Sequence, residues 1–415
     1  MGAHPLSQTS FNLKILLVLS FGHLATDICQ SALAAILHLL KEKLLLTYTT
    51  AGTIMLVSTV TSSVIQPLFG YLSDVREKAY LLAVGCLCAG LGLSFVSFPD
   101  NYGLVLLLVT VSGLGIASYH PEGFKTARFF TGANTAMGLA VFTVGGNIGL
   151  ALGPLAPTFI TTYFGLDYLP LMLLLSLIFL VLLAQSWPVI THARAEAVAR
   201  ASSQSKPSKA AYISVGLTVA AVIMRSWTHF GLMAYIPLYI HFHKGDPLYA
   251  GALVSVFLFG GAVGTLVGSP LADRWGYKRY LILSMALSTA LFPLIFVTQG
   301  FMLFVALGVI GMVLISTFTV TIVIAQNLLP NNLGVASGLM AGFAIGTGGI
   351  GVTLLGIIAD HFGVPTALKS IMLLPLAGLV ISCFIRYPRD AGKSIVTTGS
   401  VRVLPTTTQQ KNEGS

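Results

Sequence analysis

QPLFGYLSDVREKAY at residues 66–80 and GSPLADRWGYKRY at residues 268–280 decide the fold. Each segment leaves an apolar stretch through an Asp and enters a short basic turn, and Asp74 and Asp273 stand 199 positions apart (273 − 74). A second pair, VGGNIGLALG (144–153) and TGGIGVTLLG (347–356), repeats at a similar offset of 203 (347 − 144). A period of about half the chain marks an internal duplication, so the sequence reads as two similar halves.

The material between these repeats is apolar. Of the 415 residues, 55% are hydrophobic and 8% are charged, with a mean hydropathy of +0.88. A soluble globular chain carries roughly 25% charged residues, so this composition places the protein in lipid. A spanning helix needs about 20 mainly apolar residues. Stretches of that length fall near 12–40, 50–72, 79–98, 102–121, 133–161, 168–188, 211–240, 248–272, 279–298, 300–326, 333–359 and 366–386. The expected fold is an all-α integral membrane protein with twelve transmembrane helices in two pseudo-symmetric six-helix bundles. The first stretch continues past residue 35 without a clear cleavage site and reads as a retained helix, not a signal peptide.

VITHARAEAVARASSQSKPSKA (189–210) is the longest polar interruption before the tail and suits a cytoplasmic linker. The expected organisation is an N-terminal bundle over 1–188, the linker over 189–210, a C-terminal bundle over 211–388 and a disordered cytoplasmic tail over 389–415. With the N-terminus inside, 17 of the 22 lysines and arginines fall in cytoplasmic segments, from Lys14 to Lys411. Lys41, Lys43, Lys244 and Lys369 lie in outer loops, and Arg225 lies within a span. That asymmetry reports membrane orientation, so the basic balance does not call for a nucleic-acid partner. Cys29, Cys86, Cys88 and Cys383 lie in apolar spans without CxxC or Cys/His spacing and read as packing residues.

Gly70 and Asp74 in one half, with Ala272, Asp273, Arg274, Gly276, Lys278 and Arg279 in the other, resemble the signature loop of the major facilitator superfamily. Within it the chain resembles the fosmidomycin resistance protein family along almost its whole length. GHLATDICQS (22–31), YHPEGFKTAR (119–128), VFTVGGNIGLALGP (141–154), AQNLLPNNLGVASGL (325–339) and GIIADH (356–361) carry that likeness. The resemblance implies a bacterial inner-membrane exporter of drugs driven by the proton gradient, multi-pass with both termini cytoplasmic. It also assigns Asp74, Asp273 and Arg274 to conformational switching. The expected partners are a small-molecule substrate, protons and the bilayer, with no cofactor, and the chain is expected to work as a monomer.

An ionisable side chain at mid-bilayer costs about 2.5–3.5 kcal/mol on insertion scales, which makes it a functional candidate. Asp27 and Arg225 are the two formal charges at that depth, and their offset of 198 (225 − 27) nearly equals the repeat, so they sit on the first helix of each half. On the first helix His23, Asp27, Gln30 and Ser31 share one face. Asp27, with His23, is the candidate for proton coupling; the competing possibility is a buried Asp27–Arg225 pair that fixes packing. Arg225 is the candidate anion site, because guanidinium grips phosphonate or carboxylate in a forked geometry. Gln30, Gln66, His229 and Tyr235 are further candidates for substrate contact.

His120, Pro121 and Glu122 are expected to close the fourth span at the inner gate, with Pro121 and Gly123 ending the helix. Gly149, Gly153 and Pro154 extend a glycine-rich stretch on the fifth span that resembles the antiporter pattern of the superfamily, and small residues there let helices approach and rock. No GK[ST] follows, so no phosphate-binding loop is expected. Nine scattered histidines give no matched metal-ligand set. Uptake of an organic anion is the alternative transport direction. A polytopic membrane enzyme using His120 and Glu122 as acid and base is the alternative from another class.

Overall fold

The computed structural model describes residues 11–76, 78–201, 207–243 and 245–387. The tail read as disordered lies outside the described residues, as does 202–206 of the linker. Among the described residues eleven helices are long and apolar enough to cross a membrane, and a shorter apolar helix of 15 residues, Tyr80–Ser94, stands where the remaining expected span falls. In the first half they are α1 (Leu13–Lys43), α2 (Tyr48–Val75), α3 (Tyr80–Ser94), α4 (Tyr102–Arg128), α5 (Thr135–Tyr163) and α6 (Leu173–Ala201). In the second half they are α7 (Lys209–Phe242), α8 (Pro247–Trp275), α9 (Tyr277–Val297), α10 (Phe301–Leu328), α11 (Leu333–Phe362) and α12 (Val364–Phe384). Helices dominate because hydrocarbon offers the backbone no partners, so each segment must satisfy its own N–H and C=O groups. Side-chain caps begin several of them: Asn101 accepts from Gly103 and Leu104, and Ser208 accepts from Ala211. At the α8–α9 junction Gly276, with φ 93°, turns the chain within one residue.

Two expected boundaries move. The fourth span does not end at Pro121; α4 runs to Arg128 and buries His120, Pro121, Glu122 and Gly123 inside it. Proline inside a membrane helix is tolerated where the freed backbone group finds another partner. The linker does not begin at 189 either, since α6 continues to Ala201. Arg194, read from sequence as a linker residue, is 1% exposed and donates to Glu122 and to the carbonyl oxygens of Ser73 and Arg76. A guanidinium with this many acceptors can be buried, which is why a polar stretch extends a helix here.

Close packing positions the centre. Gly145, Gly146, Gly149 and Gly153 of α5 lie on the stretch of α1 from Ser20 to Ser31, where any added Cβ would strike α1 atoms. Glycine is required by that approach. Two π-helical turns interrupt the regular register, Val60–Val64 in α2 and Gly338–Phe343 in α11, and they meet where the halves touch. Such turns mark functional sites often enough to draw notice.

The chain termini of both halves lie at one end of the bundle, called here the terminal end. Every side-chain hydrogen bond between the halves among the described residues is near it. Asp74, at the end of α2, accepts from the backbone N–H groups of Gly334 and Val335 at the start of α11, both at 2.9 Å. Asp273, at the end of α8, accepts from Ala136 and Met137 at the start of α5, at 2.9 and 3.0 Å. Arg128 donates to Asn327, and Gln326 donates to the Phe124 carbonyl. The terminal end is closed.

Candidate functional site

A cavity of about 220 Å³ lies between the halves, lined by α1, α2, α4, α5, α7, α8, α10 and α11. Asp27 and Arg225 both face it, from equivalent positions of the two halves. They are not partners. Asp27 lies between two histidines, with His120 Nε2 2.8 Å from Oδ1 and His23 Nε2 3.3 Å from Oδ2. Arg225, 5% exposed, donates to Thr317 Oγ1 at 3.2 Å and Thr321 Oγ1 at 3.5 Å, with the Phe318 ring 5.6 Å from its guanidinium carbon. Among the described residues no carboxylate forms an ion pair with Arg225. The packing pair considered from sequence does not form.

Further hydrogen bonds fix the histidines. His23 is stacked on Phe142, ring centres 4.4 Å apart, and its Nδ1 lies 3.0 Å from the Phe142 carbonyl oxygen. His120 Nδ1 lies 3.0 Å from Gln66 Nε2, which also reaches the Ser62 carbonyl at 2.8 Å. Gly146 comes so close that a side chain there would overlap His23 and Asp27. The site is a preorganised carboxylate facing an unpaired cation across a partly polar space.

The sequence candidates divide clearly. His23, Asp27, Gln30, Gln66, Arg225 and His229 line the cavity, whereas Tyr235 is buried away from it. His120, expected at a gate, is part of the centre, because α4 continues through Pro121 and carries the ring to Asp27. Glu122 points elsewhere, to Arg194 and Thr126, so the acid–base pair weighed from sequence does not exist. The histidines are less scattered than their spacing in sequence suggests, since side-chain nitrogen and oxygen atoms of His23, Asp27 and His120 lie within 4.8 Å of one another. Asp74, besides its helix contacts, is 3.0 Å from Lys125 Nζ, while Arg274 is exposed at the terminal end. Gly149 and Gly153 lie against α1, and Pro154 begins the second segment of α5 after a break at Gly153. Asn147, Thr143 and Ser226 also line the cavity and were not singled out from sequence. The signal for Asn147 was available, since it directly follows Gly146 and is the polar residue of that apolar span nearest the glycines.

Comparison with known proteins agrees with this architecture. A profile of the Major Facilitator Superfamily matches residues 19–253 and 218–409. The chain is 32% identical over 379 residues to the fosmidomycin resistance protein of Escherichia coli K12, covering 90% of this chain and 93% of that one. It is also 32% identical over 377 residues to the uncharacterized MFS-type transporter YfnC of Bacillus subtilis 168, covering 88% and 91%. Among solved structures, the proton:xylose symporter XylE aligns with a TM-score of 0.68 at 14% identity, over 92% of this chain and 96% of that one. The transporter FucP in its outward conformation aligns with a TM-score of 0.66 at 15% identity, over 91% and 100%. Transport proteins, not enzymes, surround this chain in sequence and in fold, and it belongs to the major facilitator superfamily.

Proposed function

We propose that the protein exports small anionic compounds of the fosmidomycin type in exchange for protons, with the terminal end facing the bacterial cytoplasm across the inner membrane. The observation that carries this reading is the buried Arg225, which has no carboxylate partner among the described residues and faces the same cavity as Asp27 and its histidines. A guanidinium held in this way takes a phosphonate or carboxylate through paired N–H bonds. Asp27 takes and releases a proton as solvent access alternates.

The cycle is rocking of two bodies, α1–α6 and α7–α12, about this midplane site. With the terminal end closed, the cavity exchanges with the periplasmic side, where Asp27 loads a proton and the anion leaves Arg225. Opening of the terminal end breaks the Asp74 and Asp273 contacts, lets the proton go to the cytoplasm and admits the next anion. The fosmidomycin resistance protein of Escherichia coli, similar over nearly the whole chain, supports the direction.

Growth inhibition by fosmidomycin in an efflux-deficient bacterium tests the proposal, with expression matched between wild type, Asp27→Asn and Arg225→Gln. Wild type is expected to raise the inhibitory concentration, and both variants are expected to return it to the empty-vector value. Wild-type protein that reaches the membrane yet gives no protection would remove this export reading and direct attention to uptake of organic anions.

A further inference from the structure

The hydrogen bonds around His120 determine where its proton is. The Ser62 carbonyl can only accept, so the atom of Gln66 that lies 2.8 Å from it is the amide nitrogen. Pro67 follows Gln66 and has no N–H to offer the preceding turn, and the π-helical turn at Val60–Val64 brings that carbonyl within reach of the side chain. Gln66 Oε1, on the opposite side, is buried without a hydrogen-bond partner, and the reversed amide would bury two unmatched N–H donors there. Gln66 Nε2 therefore donates its second hydrogen to His120 Nδ1, 3.0 Å away. An imidazole nitrogen that accepts carries no hydrogen, so the ring is neutral, with its hydrogen on Nε2 donated to Asp27 Oδ1 at 2.8 Å.

His23 is constrained differently. The Phe142 carbonyl also only accepts, so His23 Nδ1 donates to it and only Nε2 is left to gain or lose a proton. His23 Nε2, 3.3 Å from Asp27 Oδ2, is thus the ring atom through which a proton can pass to or from the carboxylate. His120 Nε2, already carrying hydrogen, is not free to ligate a metal ion. The other titratable groups around Asp27 are Cys29 on its own helix, Tyr119 on α4, Cys86 on α3, and Arg225 and His229 across the cavity on α7.

Gln66 is also the point at which the other half touches this network. The backbone of Gly342 in α11 packs directly on its side chain, so that a Cβ there would overlap Cβ, Cδ and Oε1 of Gln66, and Gly338 lies against the Gln66 carbonyl. Withdrawal of α11 removes the wall that holds the amide in place.

We propose that Gln66 is a positioning residue that keeps His120 as the neutral, Nε2-protonated tautomer while α11 lies against α2, confining the exchangeable proton to Asp27 and His23, and frees His120 to protonate when α11 withdraws. This rests on the assignment of proton coupling to Asp27.

The test is nitrogen NMR of histidine-labelled protein in lipid nanodiscs without substrate, with His120→Gln identifying the His120 signals. In wild type His120 shows hydrogen on Nε2 alone from mildly acidic to mildly alkaline pH. In Gln66→Leu both ring nitrogens become protonated toward acid pH. Gln66→Glu, a second variant of nearly the same shape, is expected to give the doubly protonated ring over a wider range, because its carboxylate accepts from Nδ1. Gly342→Ala should reproduce Gln66→Leu with Gln66 intact. In parallel, the midpoint of the pH profile of fosmidomycin export is expected to shift by about one unit or more in Gln66→Leu, as for a new charge within reach of a carboxylate. A purely packing role would lower the rate equally at every pH. The tautomer lock is overturned if wild-type His120 carries hydrogen on Nδ1, or if both Gln66 variants titrate as wild type does. The link to α11 is overturned if Gly342→Ala leaves His120 as in wild type. Because the spectra need no substrate, they stand even if fosmidomycin is not carried.

Discussion

Neutralising Asp74 should open the terminal end, and the structure sets the size of the effect. The carboxylate, with a side chain 4% exposed, accepts two backbone N–H bonds of 2.9 Å at the start of α11 and lies 3.0 Å from Lys125. Asp74→Asn keeps one acceptor oxygen but loses the charge, and with it one charge-assisted bond of about 1.5–3 kcal/mol. The favourable placement of an anion at a helix N-terminus, about 0.3–1 kcal/mol, is lost as well. The carboxylate regains water when the end opens, so a net shift of about 2 kcal/mol is expected, on the order of thirtyfold in the closed-to-open ratio. Asp273→Asn at the opposite corner should act alike, and the double variant should shift the ratio about a thousandfold if the corners are independent. Distances between spin labels at the exposed positions Leu13 and Phe384, one in each half, measure the populations after replacement of the native cysteines. The reasoning is refuted if Asp74→Asn leaves the distribution unchanged. A shift in Lys125→Met equal to that in Asp74→Asn would instead locate the lock in the ion pair and not in the helix contact.

Other consequences are as direct. Arg225→Lys keeps the charge but not the fork, so the apparent KM for fosmidomycin export should rise about tenfold or more with less change in the maximal rate, and vesicle transport separates the two. Gly146→Ala places a methyl group against His23 and Asp27; export should fall sharply although the protein reaches the membrane, and near-normal export would show that the contact relaxes freely. Glu122→Gln leaves the buried Arg194 guanidinium without its counter-charge, which should destabilise the first half by about 3–5 kcal/mol. A melting temperature equal to wild type would rule out a structural role for that pair.

Much of the fold was readable from the sequence because lipid enforces a simple code of apolar length, and the repeats at Asp74 and Asp273 supplied the duplication. The sequence did not show where helices continue through polar residues. Arg194 reads as linker until Glu122, Ser73 and Arg76 are seen to satisfy it, and those acceptors come from other helices. The same limit hid His120. Its ring reaches Asp27 only because α4 passes through Pro121, and a helix break at proline was the reasonable sequence expectation. Asp27 and Arg225 were recoverable as cavity-lining residues because a charge within an apolar span is conspicuous without knowledge of its neighbours, and His23 because it stands one turn from Asp27 on the same face. Tyr235 was mistaken because helical spacing gives a residue's direction only relative to its own helix, not the position of the cavity.

The two helices whose N-termini are grasped by Asp273 and Asp74 are also the two whose glycines bear on the centre. α5, held at Ala136 and Met137, carries Gly146 onto His23 and Asp27, and α11, held at Gly334 and Val335, carries Gly342 onto Gln66. In the proposed cycle each acts as a lever, held at its start by a carboxylate of the other half and bearing further along on Asp27, His23 or Gln66. On that proposal no separate relay is needed between the two places, because release of either carboxylate contact and displacement at the centre would act on one and the same helix.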